Sequence, residues 1–411
     1  MTWNVSQRAH RRLAFTALTV ASAGALVAQM AAPASASAPV TTSILNDVSC
    51  TSPGNCMAVG YFQESGPGTV YFTLAEKWNG STWTIVPSPS PQHPGGGALL
   101  TAVSCASSIR CMAVGNTLFL NAHGSFVLRP LAESWNGTSW TVLPTAKLAQ
   151  PSAVLDGVSC VGAGRCMAAG HEGPVPASDK FTLAEAWNGT AWRVVPTPPP
   201  PVPGGTALGT VSCTSSASCI AVGYAGFNNG SGASVTLAES WNGIAWLRQA
   251  TPTPGGSGAL AGVSCTASPA CTAVGGRAVN SPTLFMGTLA ERWNGTRWVA
   301  QPTPNPGGAS TAGFGAVSCT RPAACMAVGS SEDQVGEFET SVAEAWNGTR
   351  WTLLHTPVRG SFADELRGNA CTSPANCTAV GTFAGDNNAP LRTLAEAWNG
   401  TLWRVVKSPN P

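Results

Sequence analysis

Charged residues are scarce in this chain of 411 residues, and the two signs nearly balance. There are 21 Lys and Arg against 19 Asp and Glu, which together make up 10% of the sequence. Three of the arginines lie within the first twelve residues, so the rest of the chain carries no basic excess. Because nucleic acids and anionic lipid surfaces are bound through clustered basic side chains, we exclude both as partners.

Long apolar segments are also missing, except near the N-terminus. The run from Leu13 to about Val27 is shorter than the roughly 20 residues that a membrane-spanning helix needs. Basic residues precede the run, and Ala34-Ser35-Ala36 follows it as a cleavage pattern. This order is typical of a secretory signal peptide, which we predict over residues 1–36. Cleavage after Ala38 and an uncleaved anchor are the alternatives, and the Arg pair leaves Sec and twin-arginine export both open.

Export determines how the cysteines are interpreted. All 14 lie beyond the predicted signal peptide, and an oxidising compartment permits disulfides. We therefore predict a secreted, extracellular protein with no membrane span in its mature chain.

Two motifs recur seven times. The first is a C-x5-C pair followed by x-Ala-Val-Gly or a close variant, and the second is Trp-Asn-Gly with another Trp five positions after the first. The tryptophans that open the second motif are Trp78, Trp135, Trp187, Trp241, Trp293, Trp346 and Trp398. A period near 50 residues is typical of propellers and related repeat arrays.

Each repeat predicts four short strands, which we label A to D. Val-Ser-Cys lies in strand A, Cys-x-Ala-Val-Gly in B, Leu-Ala-Glu-x-Trp in C, and the second Trp begins D. The Asn-Gly pair between C and D favours a hairpin turn, and the prolines after D end the ladder. The predicted fold class is all-β, a seven-bladed β-propeller with four antiparallel strands per blade. After a linker at 37–42, the propeller covers 43–411, with blades at about 43–92, 98–146, 153–200, 206–252, 258–304, 312–358 and 364–411.

A linear β-solenoid is the alternative architecture, but solenoids normally need polar capping units and none is evident. The first strand A begins near Ser43 and the last strand D ends just before the C-terminus. We therefore expect the ring to close between two whole blades without a shared strand.

The repeat resembles the kelch family, including the propeller of galactose-oxidase-like proteins, over about residues 43–411. Ala-Val-Gly lies where kelch repeats carry Gly-Gly, and the aromatics of strands C and D lie at similar positions. The second glycine is usually missing, as in Gly115-Asn116, and the C-x5-C pair is not a kelch feature. The chain is more similar to uncharacterised exported bacterial proteins with C-x5-C-x-AVG and WNGTxW elements. The resemblance implies a propeller, but no shared activity.

The recurrent residues predict structural roles. Each C-x5-C pair brackets the A–B hairpin, so the expected disulfides are Cys50–Cys56, Cys105–Cys111, Cys160–Cys166, Cys213–Cys219, Cys265–Cys271, Cys319–Cys325 and Cys371–Cys377. Zinc ligation and redox chemistry are the weaker interpretations, since zinc pairs are more closely spaced. The tryptophans are expected to pack across the C–D hairpin, although sugar binding is the alternative. The glutamate of strand C is expected to brace neighbouring blades or turns.

Variation between repeats falls at one end of the predicted propeller. The A–B and C–D turns share one face, here called the A–B face, and are nearly constant. The B–C and D–A connections share the opposite B–C face, and functional residues usually lie in variable loops on a rigid scaffold. The predicted ligand-binding residues there are Tyr61, Tyr71, Phe72, His123, Phe126, His171, Tyr224, Phe227, Arg277, Phe338 and Asp386.

A binding protein is favoured over an enzyme. The expected ligand is a polysaccharide, a cell-wall glycan or a protein, and the expected state is a monomer. A galactose-oxidase-type copper site requires a Tyr–Cys crosslink, a second Tyr and two His, whereas the cysteines here are all committed to the repeat. Glu172, Asp179, Glu332 and Asp333 are candidate carboxylates for a glycan hydrolase or lyase, which is the alternative function. No nucleotide loop or metal motif is present, so neither cofactor nor metal is expected.

Overall fold

The described part of the chain is built from strands. The computed structural model describes residues 41–411 apart from 65–69, 92–95, 122–123, 163, 175–179, 203, 227–232, 280–285 and 335–337. Those residues form 28 strands and no helix, so none of their segments is a helix able to cross a membrane. The predicted signal peptide lies outside the described residues.

Every repeat contains the four predicted strands, and the repeats are numbered 1 to 7 along the chain. Strand A is β1 Thr41–Ser52, β5 Gly97–Ser107, β9 Ser152–Cys160, β13 Thr206–Ser215, β17 Gly258–Ala267, β21 Ala309–Arg321 and β25 Ala363–Ser373. Strand B is β2 Asn55–Glu64, β6 Arg110–Leu120, β10 Cys166–Gly173, β14 Ser218–Gly226, β18 Ala270–Ala278, β22 Ala324–Asp333 and β26 Asn376–Ala384. Strand C is β3 Val70–Trp78, β7 Phe126–Trp135, β11 Phe181–Trp187, β15 Ser234–Trp241, β19 Met286–Trp293, β23 Glu339–Trp346 and β27 Arg392–Trp398. Strand D is β4 Trp83–Ile85, β8 Trp140–Leu143, β12 Trp192–Val194, β16 Trp246–Gln249, β20 Trp298–Gln301, β24 Trp351–Leu354 and β28 Trp403–Val406.

Within each repeat the strands pair antiparallel in the order A-B-C-D. Repeats 1 to 4 form separate four-stranded sheets. Repeats 5 to 7 join into one 12-stranded sheet through two parallel pairings, Met286 with Thr311 and Glu339 with Ala363. Strand C of one repeat therefore meets strand A of the next at a single residue pair.

The hydrophobic core lies between neighbouring repeats. Each of the core clusters formed by the described residues takes side chains from two adjacent repeats. One of them joins Leu45 and Val48 of repeat 1 to Val380 and Ala395 of repeat 7. Because the last repeat packs on the first, the array is a closed β-propeller, and the linear solenoid is excluded.

The predicted disulfides are confirmed. All 14 cysteines are paired as expected, and each pair lies directly opposite across the A–B hairpin. Disulfides persist in oxidising compartments, which is consistent with an extracellular protein. The tryptophans also pack as predicted: Trp78 and Trp83 are cross-strand partners with ring centroids 5.6 Å apart, and Trp83 is 6% exposed.

Serine in Val-Ser-Cys connects consecutive repeats. The hydroxyl of Ser49 accepts a hydrogen bond of 3.0 Å from the backbone N–H of Cys105, the first cysteine of the next repeat. The same contact, at 2.9 to 3.0 Å, recurs at each junction up to that between repeats 6 and 7. Repeat 7 carries Ala370 at this position, so its side chain cannot make the contact to repeat 1.

The strand-C glutamates of repeats 1, 2 and 3 brace neighbouring repeats, as predicted. All seven are 0 to 1% exposed. Glu133 accepts a hydrogen bond of 2.7 Å from Ser88 of the preceding repeat, and Glu185 accepts one of 3.1 Å from the N–H of Ala146. Glu76 of repeat 1 accepts a 2.7 Å bond from Ser408 of repeat 7, which extends the pattern across the closure.

Burial raises the pKa of these carboxyl groups far above the usual 4.5. The pKa rises to about 7 for Glu133, Glu185, Glu239 and Glu291, and to about 8 for Glu76, Glu344 and Glu396. The main cause in each case is loss of hydration of the carboxylate, which hydrogen bonds offset only in part for Glu76, Glu133, Glu185, Glu291 and Glu344.

The invariant glycine of Ala-Val-Gly permits a close approach between strands A and B. A Cβ on Gly60 would lie 1.9 Å from the carbonyl oxygen of Ile44 in strand A. The equivalent distance is 1.9 to 2.1 Å in the other repeats, at Gly115, Gly170, Gly223, Gly275, Gly329 and Gly381. No side chain fits there, and this explains why the position does not vary.

Gly223→Ala should therefore lower the free energy of unfolding by about 3 kcal/mol, because the new Cβ meets backbone atoms that cannot move aside. The measurement is urea unfolding with the disulfides intact. Gly209→Ala, in strand A of the same repeat, is the matched control, since its Cβ would find its nearest atoms at 3.8 Å. Equal stability of the two variants would contradict this explanation.

Stability should fall as the pH rises from about 4.5 to about 8. The folded protein retains protons on the buried glutamates that the unfolded chain releases, so each pKa unit of separation costs up to about 1.4 kcal/mol across that window. Above pH 8 the free energy of unfolding should no longer fall on account of these groups. Glu133→Gln keeps the shape and removes one titrating group, so its melting temperature should depend less steeply on pH than that of the wild type. Glu64→Gln, on an exposed side chain, is the control, and an unchanged slope in Glu133→Gln would refute the assignment.

Candidate functional site

A bulge in strand A turns one residue of each repeat out of the ladder. In every repeat the register of A against B skips a single residue at the same place, between Leu45 and Asp47 in repeat 1. The skipped residues are Asn46, Thr101, Asp156, Gly209, Ala261, Gly315 and Arg367. A bulge leaves the extra residue unpaired and re-aims its side chain.

These seven bulge residues face the centre of the ring. Strand A is the inner edge of each sheet, and strands A of consecutive repeats pack together around the ring, with β25 against β1. All seven bulge residues are at least partly accessible, whereas the leucine or phenylalanine directly before each is buried. We call this set the axial ring.

The axial ring was not recognised from the sequence, although a signal was present. Each member lies four residues before the first cysteine of its repeat, inside an otherwise regular segment that ends in Val-Ser-Cys or a variant of it. The residue types there range from glycine to arginine. A position that varies freely between constant neighbours lacks the packing role that those neighbours have.

Repeats 7 and 1 place a charged cluster on the axial ring. Arg367 donates from Nη2 and Nε to Oε2 of Glu365, at 2.7 and 2.8 Å, and from Nη1 to Oδ1 of Asn46 at 3.4 Å. Tyr61 lies close enough to interact electrostatically with both members of the ion pair, and burial raises its pKa. Burial lowers the pKa of Arg367, but Glu365 and Tyr61 outweigh it and keep that pKa above its usual value.

Glu339 at the start of β23 belongs to the same region. It lies opposite Glu332 across strands B and C, and its Oε1 is buried without a hydrogen-bond partner. Burial and the neighbouring carboxylate of Glu365 raise its pKa to about 8. The cluster therefore combines a carboxyl group whose pKa is raised with an ion-paired carboxylate.

Repeats 3 and 4 form a second polar cluster on the axial ring. Asp156 Oδ2 lies 2.9 Å from Nδ1 of His171, and the two side chains are 27% and 17% exposed. Burial is the main cause that raises the pKa of Tyr224 in the next repeat. Tyr224 is also close enough to Asp156 for an electrostatic interaction that raises this pKa further. Tyr61, His171 and Tyr224 occupy equivalent positions, each directly after the invariant glycine.

Most of the predicted binding residues lie in strands, although they were expected in B–C connections. Tyr61 and Tyr71 form an edge-to-face pair with centroids 5.5 Å apart, and Phe62 and Phe72 stack at 5.1 Å. Aromatic residues favour pleated strands, and these four residues therefore lie within β2 and β3 and lengthen their ladder towards the B–C face. Further members within strands are His171, Tyr224 and Arg277.

Three predicted residues lie at or next to the B–C connections. Phe126 begins β7 and is 60% exposed, and Phe338, just before β23, is 48% exposed. Asp386 is exposed, and its Oδ1 accepts a hydrogen bond from the N–H of Asn388 that holds a turn. His123 and Phe227 lie outside the described residues, as does Asp179 among the candidate carboxylates.

No group of three or more His, Cys, Asp or Glu among the described residues could hold a metal ion. A cavity of about 30 Å³ lies beside Arg359, Phe383 and Lys407, away from the axial ring. That volume suits a water molecule rather than a sugar.

No protein-family model and no curated protein sequence matches the chain. Similar solved structures include YCF48 bound to D1 peptide, with 12% identity, a TM-score of 0.44, and coverage of 91% of this chain and 97% of that chain. The propeller domain of the Trilobed protease from Pyrococcus furiosus has 6% identity and a TM-score of 0.45, with 91% and 100% covered. An α-L-arabinofuranosidase from Fusarium graminearum has 10% identity and a TM-score of 0.43, with 73% and 93% covered.

The fold defines the chain as a disulfide-bonded β-propeller. The similar structures are too distant to assign it a function, and membership of the kelch family remains a prediction.

The three tyrosines should ionise above pH 10. Burial raises the pKa of each of them, and that of Tyr71 reaches about 12 because Tyr61 adds to the effect. Ultraviolet titration of the folded protein should show little phenolate at pH 10, whereas the unfolded chain should be about half ionised there. Tyr71→Phe should remove one third of the phenolate signal that the folded protein gives at high pH. Half-ionisation of the folded protein at pH 10 would contradict the packing of this cluster.

Proposed function

We propose that the seven repeats are the blades of a secreted, non-catalytic propeller that binds an extracellular ligand through its B–C face. A polysaccharide or cell-wall glycan is the preferred ligand, and a protein is the second choice. The observation that carries the proposal is the contrast between the two faces. The A–B face repeats the same disulfides, turns and serine contacts, whereas the B–C end differs in every repeat.

Exposed aromatic side chains support this assignment. Phe126 and Phe338 are large apolar groups open to solvent on the B–C face. Half-buried tyrosines lie nearer the axis, where they combine a ring with a hydroxyl group. Aromatic rings beside hydrogen-bonding groups suit both sugar rings and protein surfaces. The near-balanced charge supports a neutral ligand over a strongly charged one.

A glycan-active enzyme is the second candidate, and Glu339 is the observation that favours it. A carboxyl group with a raised pKa beside the ion-paired Glu365 resembles the acid and base pair that glycoside cleavage requires. Among the carboxylates considered from the sequence, Glu332 is the one that the fold brings opposite Glu339. Glu172 instead accepts a hydrogen bond of 3.4 Å from the N–H of Gln150.

The test is a pull-down of the mature protein on cellulose, chitin and purified cell walls, with the supernatant assayed for released sugars. Phe126→Ala/Phe338→Ala should reduce retention about tenfold, because truncating exposed aromatic contacts removes apolar area from the interface. Ile109→Ala/Ile244→Ala is the matched control, since these exposed side chains lie in turns of the A–B face.

Retention that the control keeps and the aromatic variant loses, without released sugar, would support a binding protein. Released sugar that Glu339→Gln abolishes would replace it with the enzyme. If none of these materials retains the wild type, a protein ligand becomes the leading candidate.

A further inference from the structure

The turns between strands C and D share one conformation in all seven repeats. Each places Asn-Gly after the last residue of strand C, and the glycine has a φ of +91° to +101°. Glycine adopts such values without strain, so Asn-Gly is a favoured pair in tight hairpin turns. The asparagines of these turns are all exposed, and they are Asn79, Asn136, Asn188, Asn242, Asn294, Asn347 and Asn399.

The pair that suits the turn also forms a cyclic imide readily, because glycine has no Cβ to shield its backbone nitrogen. That nitrogen attacks Cγ of the asparagine, and a new C–N bond forms. The bond from Cγ to Nδ2 breaks, and the side-chain nitrogen leaves as ammonia with the proton of the glycine N–H, relayed by water. Water then opens the imide to aspartate or isoaspartate, so a carboxylate replaces a neutral amide.

Hydrogen bonds to the asparagine side chain oppose this reaction. Closing the five-membered imide ring requires a nearly eclipsed arrangement about the Cα–Cβ bond, whereas side chains rest in staggered rotamers. The side chain must therefore rotate, and each hydrogen bond that holds it must stretch or break. The number of these bonds should determine how fast each turn reacts.

The seven turns differ in the number of bonds that hold the asparagine. In all of them Oδ1 accepts from the backbone N–H groups of the second and third residues after it, at 2.9 to 3.0 Å. In six turns the second residue is Ser or Thr, whose hydroxyl donates a third bond to Oδ1 at 2.8 to 2.9 Å. In repeats 1 and 2, Nδ2 also donates to the hydroxyl of Thr82 or Ser139, at 3.1 and 3.2 Å.

Repeat 4 is the exception, because Ile244 takes the place of the serine or threonine. Its side chain is 87% exposed and has no hydrogen-bond donor. Repeat 3 provides a direct comparison, since its turn reads Trp-Asn-Gly-Thr-Ala-Trp and that of repeat 4 reads Trp-Asn-Gly-Ile-Ala-Trp. The hydroxyl of Thr190, which lies 2.9 Å from Oδ1 of Asn188, therefore distinguishes two otherwise identical turns.

We propose that Asn242 is a deamidation site, which loses its side-chain amide to attack by Gly243 before the other six turns react. The hydrogen bonds also predict the order among the rest. The turns held by three bonds follow, at Asn188, Asn294, Asn347 and Asn399, and those held by four come last, at Asn79 and Asn136.

The reaction changes the A–B face at one repeat. Aspartate at position 242 adds a negative charge but keeps an acceptor for the two backbone N–H groups. Isoaspartate routes the main chain through Cβ and Cγ, which lengthens the turn between the paired rings of Trp241 and Trp246. This inference concerns the face opposite the proposed ligand site and does not depend on the proposed function.

The test is mass spectrometry of the folded, oxidised protein during incubation at mildly alkaline pH. Cleavage after glutamate, arginine and lysine puts each turn on its own peptide, apart from Asn229-Gly230, which lies outside the described residues. Asn242 should deamidate about fivefold faster than Asn188, the factor to which the loss of one hydrogen bond corresponds. Ile244→Thr should slow Asn242 to the rate of Asn188, and Thr190→Val should accelerate Asn188 to that of Asn242.

Ile244→Val is the matched control, because valine has the shape of threonine without its hydroxyl, and Asn242 should remain fast. In urea with the disulfides reduced, the turns are lost and Asn188 and Asn242 should react at similar rates. Equal rates in the folded protein would overturn the proposal. A slow Asn242 in Ile244→Val, or a difference that persists in urea, would overturn it too, since shape or local sequence would then be the cause. Near-ultraviolet circular dichroism verifies that each variant is folded.

Discussion

The close approach of strands A and B at the invariant glycine is the constraint on which the rest of the molecule depends. With a Cβ, Gly60 would collide with the carbonyl of Ile44, so only glycine permits the two strands to remain paired there. The bulge in strand A occurs next to this contact in every repeat. The bulge provides one inward-facing residue in each repeat. Those residues determine which polar and charged groups line the centre of the ring.

Packing between repeats, rather than within them, supplies most of the buried surface. Each core cluster is shared by two neighbours, and a four-stranded sheet alone would leave both of its faces exposed. The serine hydroxyl groups and the carboxyl groups of Glu76, Glu133 and Glu185 add directed contacts to these interfaces. They fix the rotation of one repeat on the next, a role that apolar contacts fill poorly because they have no direction.

Much of the fold could be predicted from the sequence, because the same motifs recur seven times at similar spacing. The A–B disulfides, the Trp pairs and the interrepeat glutamates each follow from short-range spacing or strand alternation. The axial ring could not be predicted in this way, because a bulge moves one residue out of the alternation on which the prediction rests. Asn46 and Arg367 therefore escaped notice, whereas Tyr61, His171 and Tyr224 were found through their residue types.

The same dependence on register explains why most of the predicted binding residues lie in strands and not in connections. Phe126 and Phe338 were expected on exposed connections, and they lie at or next to them. Tyr71 and Phe72 were expected there as well, but their β-forming side chains lengthened β3 and paired with β2. Residue type alone does not distinguish an aromatic residue in a loop from one that extends a hairpin. The strand register determines which of the two positions the residue takes.

Every covalent cross-link in the propeller begins and ends within one repeat. A stretch of DNA that encodes one repeat therefore carries both halves of its disulfide, and copying or deleting that stretch changes the number of cysteines by two. No intermediate in such a history is left with an odd thiol that could pair with the wrong partner. Local cross-linking thus makes the repeat a unit that can be inherited whole, and the seven near-identical hairpins are what growth by duplication would leave.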